Sequence, residues 1–82
     1  GVMIGDVFYR GQGYATEAWR EVMDFLWASD IHKIEAGMMV TNTPMVGICH
    51  KTGMLLEGVR PKHFLVDNER IGLVQYGIWR EP

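Results

Sequence analysis

A glycine-rich loop, Arg10-Gly11-Gln12-Gly13-Tyr14-Ala15, stands immediately before a run of helix-forming residues, 16–20. Glycine has no Cβ, so the backbone of such a loop reaches conformations closed to other residues and approaches a ligand closely. The helix that follows begins with unpaired N–H groups at the positive end of its dipole, and together these form an anion site. The pattern predicts either a phosphate-binding loop or, with no ligand involved, a plain turn into a helix.

Two well-known phosphate loops do not fit this stretch. A Walker loop needs Gly-Lys-Ser/Thr after its spacer, and the chain has no such sequence. The dinucleotide fingerprint needs a third glycine where Thr16 stands, and an acidic residue that closes the second strand. Glu35 lies inside the second predicted strand instead of closing it. We therefore expect no nicotinamide or flavin site.

Size and composition favour one small folded domain. The chain has 82 residues, of which 48% are hydrophobic and 22% charged, as in ordinary soluble proteins. Its formal net charge of -2 offers no basic face for nucleic acid or an anionic membrane. A single cysteine, Cys49, excludes an intramolecular disulfide, and no run of about 20 apolar residues is present. We expect a soluble, cytoplasmic protein with neither nucleic acid nor membrane as a partner.

The elements are predicted in the order strand, helix, strand, helix, strand, strand, which gives an α/β (α+β) fold with a mixed sheet. A short apolar strand over 2–8 precedes the loop, and an amphipathic helix runs from Tyr14 to about Ala28. The apolar residues of this helix are Ala15, Ala18, Trp19, Val22, Met23, Phe25 and Leu26. The stretch 33–40 alternates, with Ile34, Ala36, Met38 and Val40 on one face, and is the second strand.

Turn and capping residues delimit the second half of the chain. Thr43 as N-cap, followed by Pro44, predicts a short helix that ends before Gly53. A third strand is expected over 54–60, then a break at Pro61. Arms at 64–66 and 71–79 flank the polar turn 67–69 and predict a hairpin.

This order of elements and two local motifs resemble the GNAT superfamily of acyl-CoA-dependent N-acetyltransferases, especially its ribosomal-protein and diamine or polyamine branch. The loop 10–15 resembles the pyrophosphate motif Arg/Gln-x-x-Gly-x-Gly/Ala of that family. The second motif is an Asn before a helix and Lys-x-Gly-apolar-x-x-Glu-Gly after it, and it is matched by Asn42 and by 51–58. Gly53 stands eleven residues after Asn42, as the motif requires.

The resemblance implies acetyl-CoA as acyl donor, an amine as acceptor and no metal. The cofactor-binding residues it implies are Arg10, Gly11, Gln12, Gly13, Tyr14, Ala15 and Asn42. In the family, the strands that correspond to 2–8 and 33–40 splay apart, and their free backbone groups bind the pantetheine arm like an added strand. An N–H of the first strand also stabilises the oxyanion. For Asn42, helix capping is an equally good explanation.

Proton transfer requires a base for the amine and an acid for the departing thiolate. Many members have a Tyr as the acid seven residues after the motif Asn, where this chain has Cys49. Cys49 is therefore the candidate acid, with buried packing as the alternative. Asp6 and Glu35 are the carboxylates near the expected splay, and Glu35 is the candidate base, with a solvated strand residue as the alternative. His50 and His63 are isolated bases without the spacing of a metal site.

A complete domain of this family begins with a strand, two helices and two more strands, which have no counterpart in these 82 residues. We therefore expect 1–82 to be the C-terminal half of such a domain, with an open edge at 2–8 and an uncovered apolar face that favour homodimers. Two functions stay open. One is an N-acetyltransferase assembled from two chains or with a separate N-terminal half, and the other is a non-catalytic CoA-binding or self-associating remnant.

Overall fold

A computed structural model describes residues 12–81, and for 12–14 it describes the backbone. The elements are α1 (Gln12–Trp27), β1 (Lys33–Met39), α2 (Thr43–Lys51), β2 (Leu55–Val66) and β3 (Glu69–Trp79). Over these residues the predicted helices, second strand and hairpin are confirmed. The predicted first strand 2–8 lies outside the described residues, as do Asp6, Arg10 and Gly11.

The described strands form an antiparallel sheet in the order β1-β3-β2, so β3 is central. Ala36 pairs with Tyr76 and Met38 with Val74, so these four side chains share one face. The buried residues of both helices pack on that face in one core cluster. The cluster contains Ala15, Trp19 and Met23 from α1, and Met45, Ile48 and Cys49 from α2. The opposite face of the sheet is called the open face below.

Helix α1 carries its buried residues at the spacing of an amphipathic helix. Ala15, Trp19 and Met23 are four residues apart and form one stripe. Phe25, which we predicted on the apolar side, is 77% exposed, so that prediction is wrong. The reason is that Phe25 follows Glu17 and Glu21 at intervals of four residues and therefore continues the outer stripe.

Strand β2 does not break at Pro61. The predicted third strand and the first hairpin arm are one strand, with register shifts between Leu56 and Gly58 and between Arg60 and Phe64. Pro61 lies within the second register shift, where β2 has no paired residue on β3, and β2 is at the edge of the described sheet. A proline at such a place costs no ladder hydrogen bond. Lys62, next to Pro61, has a φ of 59°. It lies in the register shift between Arg60 and Phe64, where the extra residues of β2 accommodate an irregular backbone. The turn itself contains only Asp67 and Asn68, both with positive φ, and Glu69 already belongs to β3.

Helix α2 is fixed at both ends by capping contacts. The N-cap is Asn42, one residue before the predicted Thr43, and its side chain accepts a hydrogen bond from the Met45 N–H at 3.3 Å. At the other end Gly53 has a φ of 83°, as predicted for the residue that ends the helix. The N–H of Met54 donates to the Cys49 carbonyl at 2.9 Å, which completes the turn into β2.

Candidate functional site

The predicted anion site is at the first turn of α1. The helix begins at Gln12, so the N–H groups of 12–15 are its first four and have no hydrogen-bond partner within the helix. The side chain of Ala15 is 7% exposed and belongs to the core, so this residue offers a ligand only its backbone. This donor set suits the oxygens of a pyrophosphate. The pyrophosphate contacts of Gln12, Gly13, Tyr14 and Ala15 stay predictions, and Arg10 and Gly11 lie outside the described residues.

One turn further along α1, the indole of Trp19 is 2% exposed. Its Nε1 is a buried donor without a hydrogen-bond partner in the described part of the chain. An indole N–H can only donate, so it requires an acceptor such as a carbonyl oxygen. Sequence reasoning treated Trp19 as an apolar core residue. The signal that was available is a tryptophan, which carries a polar atom, on the buried stripe directly after the glycine loop.

Asn42 lies where β1 leads into α2. Its Oδ1 is occupied by the Met45 N–H, so the capping explanation is correct for that atom. The amide nitrogen of Asn42 takes no part in this contact, and its binding to a cofactor stays a prediction.

Cys49 lies in the centre of the core on the inner side of α2. It is 0% exposed, and desolvation raises the pKa of its thiol from 9.0 to about 11. Proton transfer from such a thiol to a thiolate of ordinary pKa, about 8.5, is uphill. These properties favour the packing alternative for Cys49, and its role as an acid stays a prediction.

His50, which follows Cys49 in α2, contacts the side chain of Tyr76 in β3. Its Nε2 lies 3.1 Å from the hydroxyl of Tyr76, and the two rings meet edge to face. Tyr76 is 4% exposed, so the histidine provides the partner for a buried hydroxyl. His63 instead lies on the edge strand β2, where its ring contacts Phe64.

Glu35, the candidate base, lies on the open face of the sheet, away from Cys49. Its carboxylate is 3.2 Å from the ammonium of Lys33, which also contacts Glu57 at 2.7 Å. The hydrogen bond to Glu57, partly offset by desolvation and reinforced by Glu35, raises the pKa of Lys33 above its usual value. The structure thus brings Glu35 together with Lys33 and Glu57, two residues that sequence reasoning did not connect with it.

Two further properties concern the described residues only. Between 12 and 81, His, Cys, Asp and Glu side chains do not gather into a group of three that could hold a metal ion. Neither α1 nor α2 combines the length and apolar character that a membrane-spanning helix needs.

Comparison with known proteins gives matches of sequence and of fold. Residues 1–55 match the model of the family described as "Acetyltransferase (GNAT) domain". The chain is 30% identical over 77 residues to "Probable N-acetyltransferase YjcK" of Bacillus subtilis (strain 168), covering 93% of this chain and 38% of that protein.

Two solved structures have the same fold. A structure of yncA, a putative acetyltransferase from Salmonella typhimurium with its cofactor acetyl-CoA, superposes with a TM-score of 0.82 at 15% identity, over 87% of this chain and 41% of that one. The ribosomal-protein-S5-alanine acetyltransferase from Vibrio fischeri superposes with a TM-score of 0.75 at 19% identity, over 87% and 39%. The chain thus spans about two-fifths of the length of these relatives.

The family match covers more than half of the chain, and it includes the glycine loop, Asn42 and Gly53. The fold built from α1, β1, α2 and the β2–β3 hairpin agrees with it. This chain belongs to the GNAT acetyltransferase family.

Proposed function

We propose that this chain binds acetyl-CoA and supports transfer of the acetyl group to a primary amine. The observation that carries the proposal is the first turn of α1, which contains residues 12–15 of the family motif and whose N–H groups have no partner within the helix. The Salmonella typhimurium structure with acetyl-CoA supports the same cofactor.

In the proposed reaction the amine nitrogen attacks the thioester carbonyl, the C–S bond breaks and an amide forms. The amine loses one proton, and the coenzyme A thiolate gains one. Glu35 is the proposed base, and its carboxylate lies 3.2 Å from the positively charged ammonium of Lys33. Cys49 occupies the position of the proposed acid, but its raised pKa favours solvent or another group as the source of that proton.

For the amine substrate we propose only a class, namely the substrates of one branch of the family. The motif residues 51–58 resemble the ribosomal-protein and diamine or polyamine branch. The structural match to the ribosomal-protein-S5-alanine acetyltransferase supports this choice without deciding between a protein terminus and a polyamine.

Assembly is part of the proposal, because these 82 residues correspond to about two-fifths of the relatives. We propose that they are the C-terminal half of the catalytic domain, and that turnover needs a second copy or the remaining segments. Exposed apolar side chains favour association: Leu55 is 72% and Trp79 63% exposed. Light scattering at micromolar concentration should find a dimer, and a 9.4 kDa monomer alone would argue against the homodimer.

A second candidate function is a CoA-binding or self-associating module without turnover. The buried thiol at position 49, where many relatives have a tyrosine, favours it. The enzyme and the CoA-binding module share the cofactor site and differ in the release of free thiol, whereas a purely self-associating module needs no cofactor.

Calorimetry with acetyl-CoA, combined with a thiol-release assay over a panel of amines, separates the candidates. We expect wild type to bind and Gly13→Asp to lose most of the affinity, because a carboxylate at the first turn of α1 repels the pyrophosphate. Asn68→Asp is the matched control, since it adds the same charge at the turn between β2 and β3 and not in α1.

The outcomes of this experiment lead to different conclusions. Binding with thiol release supports the enzyme, and binding without release for any amine supports the module. Absence of binding by wild type contradicts the enzyme and the CoA-binding module, and it leaves the self-associating module. Equal binding by Gly13→Asp contradicts the placement of the cofactor at the first turn of α1.

A further inference from the structure

We propose that the indole N–H of Trp19 donates a hydrogen bond to an amide carbonyl of the pantetheine arm of coenzyme A. Trp19 would then be a cofactor-binding residue that the family motif does not contain. This proposal rests on the proposed function and adds to it a contact made by the core of this chain.

The first argument is the state of the indole nitrogen. Trp19 is 2% exposed and belongs to the core cluster, yet its Nε1 lacks a hydrogen-bond partner within the described residues. A buried donor without an acceptor is costly to a fold, whereas phenylalanine at the same place would carry no such cost. The core cluster is largely apolar, and the hydroxyl of Tyr76 within it is paired with His50. The unpaired N–H therefore calls for an acceptor from outside the described core.

The second argument is the position of Trp19 on α1. Trp19 follows Ala15 by four residues on the buried stripe. Side chains on a helix lean toward its N-terminus, so the indole covers the turn that begins at Ala15. That turn directly adjoins the N–H groups proposed for the pyrophosphate.

The third argument is the chemistry of the ligand. The pantetheine arm is attached to the pyrophosphate, so it leaves the helix N-terminus close to Trp19. The arm carries two amide carbonyls, which accept hydrogen bonds, and an indole N–H only donates. The arm thus carries hydrogen-bond acceptors of the kind that the buried indole N–H lacks.

Calorimetry with the 82-residue chain tests the contact through Trp19→Phe, which removes the N–H and keeps an aromatic ring. The probes are coenzyme A and its fragment adenosine 3′-phosphate 5′-diphosphate, which has the pyrophosphate but not the arm. We expect the affinity for coenzyme A to fall about 3- to 10-fold, as for one hydrogen bond, and the affinity for the fragment to be unchanged. Trp27→Phe, at the C-terminal end of α1, is the matched control and should bind both probes like wild type.

Nuclear magnetic resonance gives a readout that does not depend on affinity. The chain has three tryptophans, and each gives one indole N–H resonance. On addition of coenzyme A the Trp19 resonance should move downfield and exchange more slowly with solvent, and the fragment should leave it in place.

The results distinguish this proposal from the proposed function. If wild type and Trp19→Phe bind coenzyme A equally, or if Trp19→Phe weakens both probes to the same extent, the contact is overturned and the cofactor site stands. If wild type binds neither probe, the proposed function fails and this contact with it.

Discussion

The ammonium of Lys33 lies 2.7 Å from a carboxylate oxygen of Glu57, and this contact joins β1 to β2 across the central strand β3. The glycine at position 77 makes the contact possible. A Cβ built on Gly77 would lie 2.5 Å from the nearer carboxylate oxygen of Glu57. The small residue in β3 thus leaves room for a side chain from one outer strand to reach the other.

We expect Gly77→Ala to destabilise the protein by about 1 kcal/mol, the low end for overpacking, because the flexible Glu57 side chain can move aside. The move would separate Glu57 from Lys33. Urea unfolding measures the change. Gly58→Ala is the matched control in the neighbouring strand, since a Cβ there meets nothing within 4 Å.

A double-mutant cycle tests the cause of this loss. In a Glu57→Ala background, Gly77→Ala should cost nothing or stabilise the protein, because the atoms that it meets are absent. An equal cost in both backgrounds would show that the strand needs glycine at 77 for another reason.

The Arg80 guanidinium binds the carbonyl groups at the end of α1, which has no basic residue in its last turn. It donates to the carbonyl of Trp27, the last residue of α1, at 2.5 Å, and to the carbonyls of Ser29 at 2.7 Å and Ile31 at 2.9 Å in the segment that follows. It also lies over the Trp27 ring. Arg80, which is distant from α1 in the sequence, thus places a positive charge at the negative end of the helix dipole.

We expect Arg80→Ala to lower the free energy of unfolding by about 2 kcal/mol, because several charge-assisted hydrogen bonds are lost. Arg80→Lys should recover only part of this, since an ammonium cannot reproduce the planar donor set. Chemical denaturation measures both. Arg70→Ala, a substitution within β3, is the control, and a loss as large in that variant would mean that the effect is only one of charge.

Local periodicity predicted much of this fold. The alternation of Ile34, Ala36 and Met38, and the four-residue spacing of Ala15, Trp19 and Met23, each placed the buried face correctly. Such patterns are readable because each residue of an element faces the core or solvent according to a fixed period.

Contacts between distant residues were not predictable in the same way. The passage of β2 through Pro61 depends on β2 lying at the edge of the sheet, which the sequence alone does not state. The meeting of Lys33 with Glu57, and of Arg80 with the end of α1, depends on the order β1-β3-β2 and on its register. In the candidate site the glycine loop was visible as a motif, whereas the unpaired indole of Trp19 became visible only with the burial of α1.

The burial of Cys49 predicts a specific loss of stability in alkali. The folded-state pKa of about 11 is above the ordinary value of 9.0, so the protonated thiol stabilises the fold below pH 9. As the pH rises from 9 to 11, the unfolded chain ionises first and this stabilisation is lost. The free energy of unfolding, measured with urea, should therefore fall more steeply from pH 9 to 11 for wild type than for Cys49→Ala. The variant retains Lys33 and the other groups that titrate in alkali.

Cys49→Ala should also be less stable at neutral pH, because removal of the buried sulfur leaves a small cavity. Parallel pH curves for the two proteins would show that the thiol does not ionise differently in the folded and unfolded chains, and would contradict the burial argument.

Asn42 offers a way to separate capping from cofactor binding in one residue. Asn42→Ala removes the acceptor for the Met45 N–H and should destabilise the protein by about 1 kcal/mol. Asn42→Ser keeps a good N-cap oxygen and loses the amide nitrogen, so its stability should stay close to that of wild type. If the amide nitrogen also binds the cofactor arm, Asn42→Ser should bind coenzyme A about 3- to 10-fold more weakly while it unfolds at the wild-type urea concentration. Denaturation and calorimetry on the two variants decide the matter, because wild-type affinity in Asn42→Ser would leave Asn42 with the capping role alone.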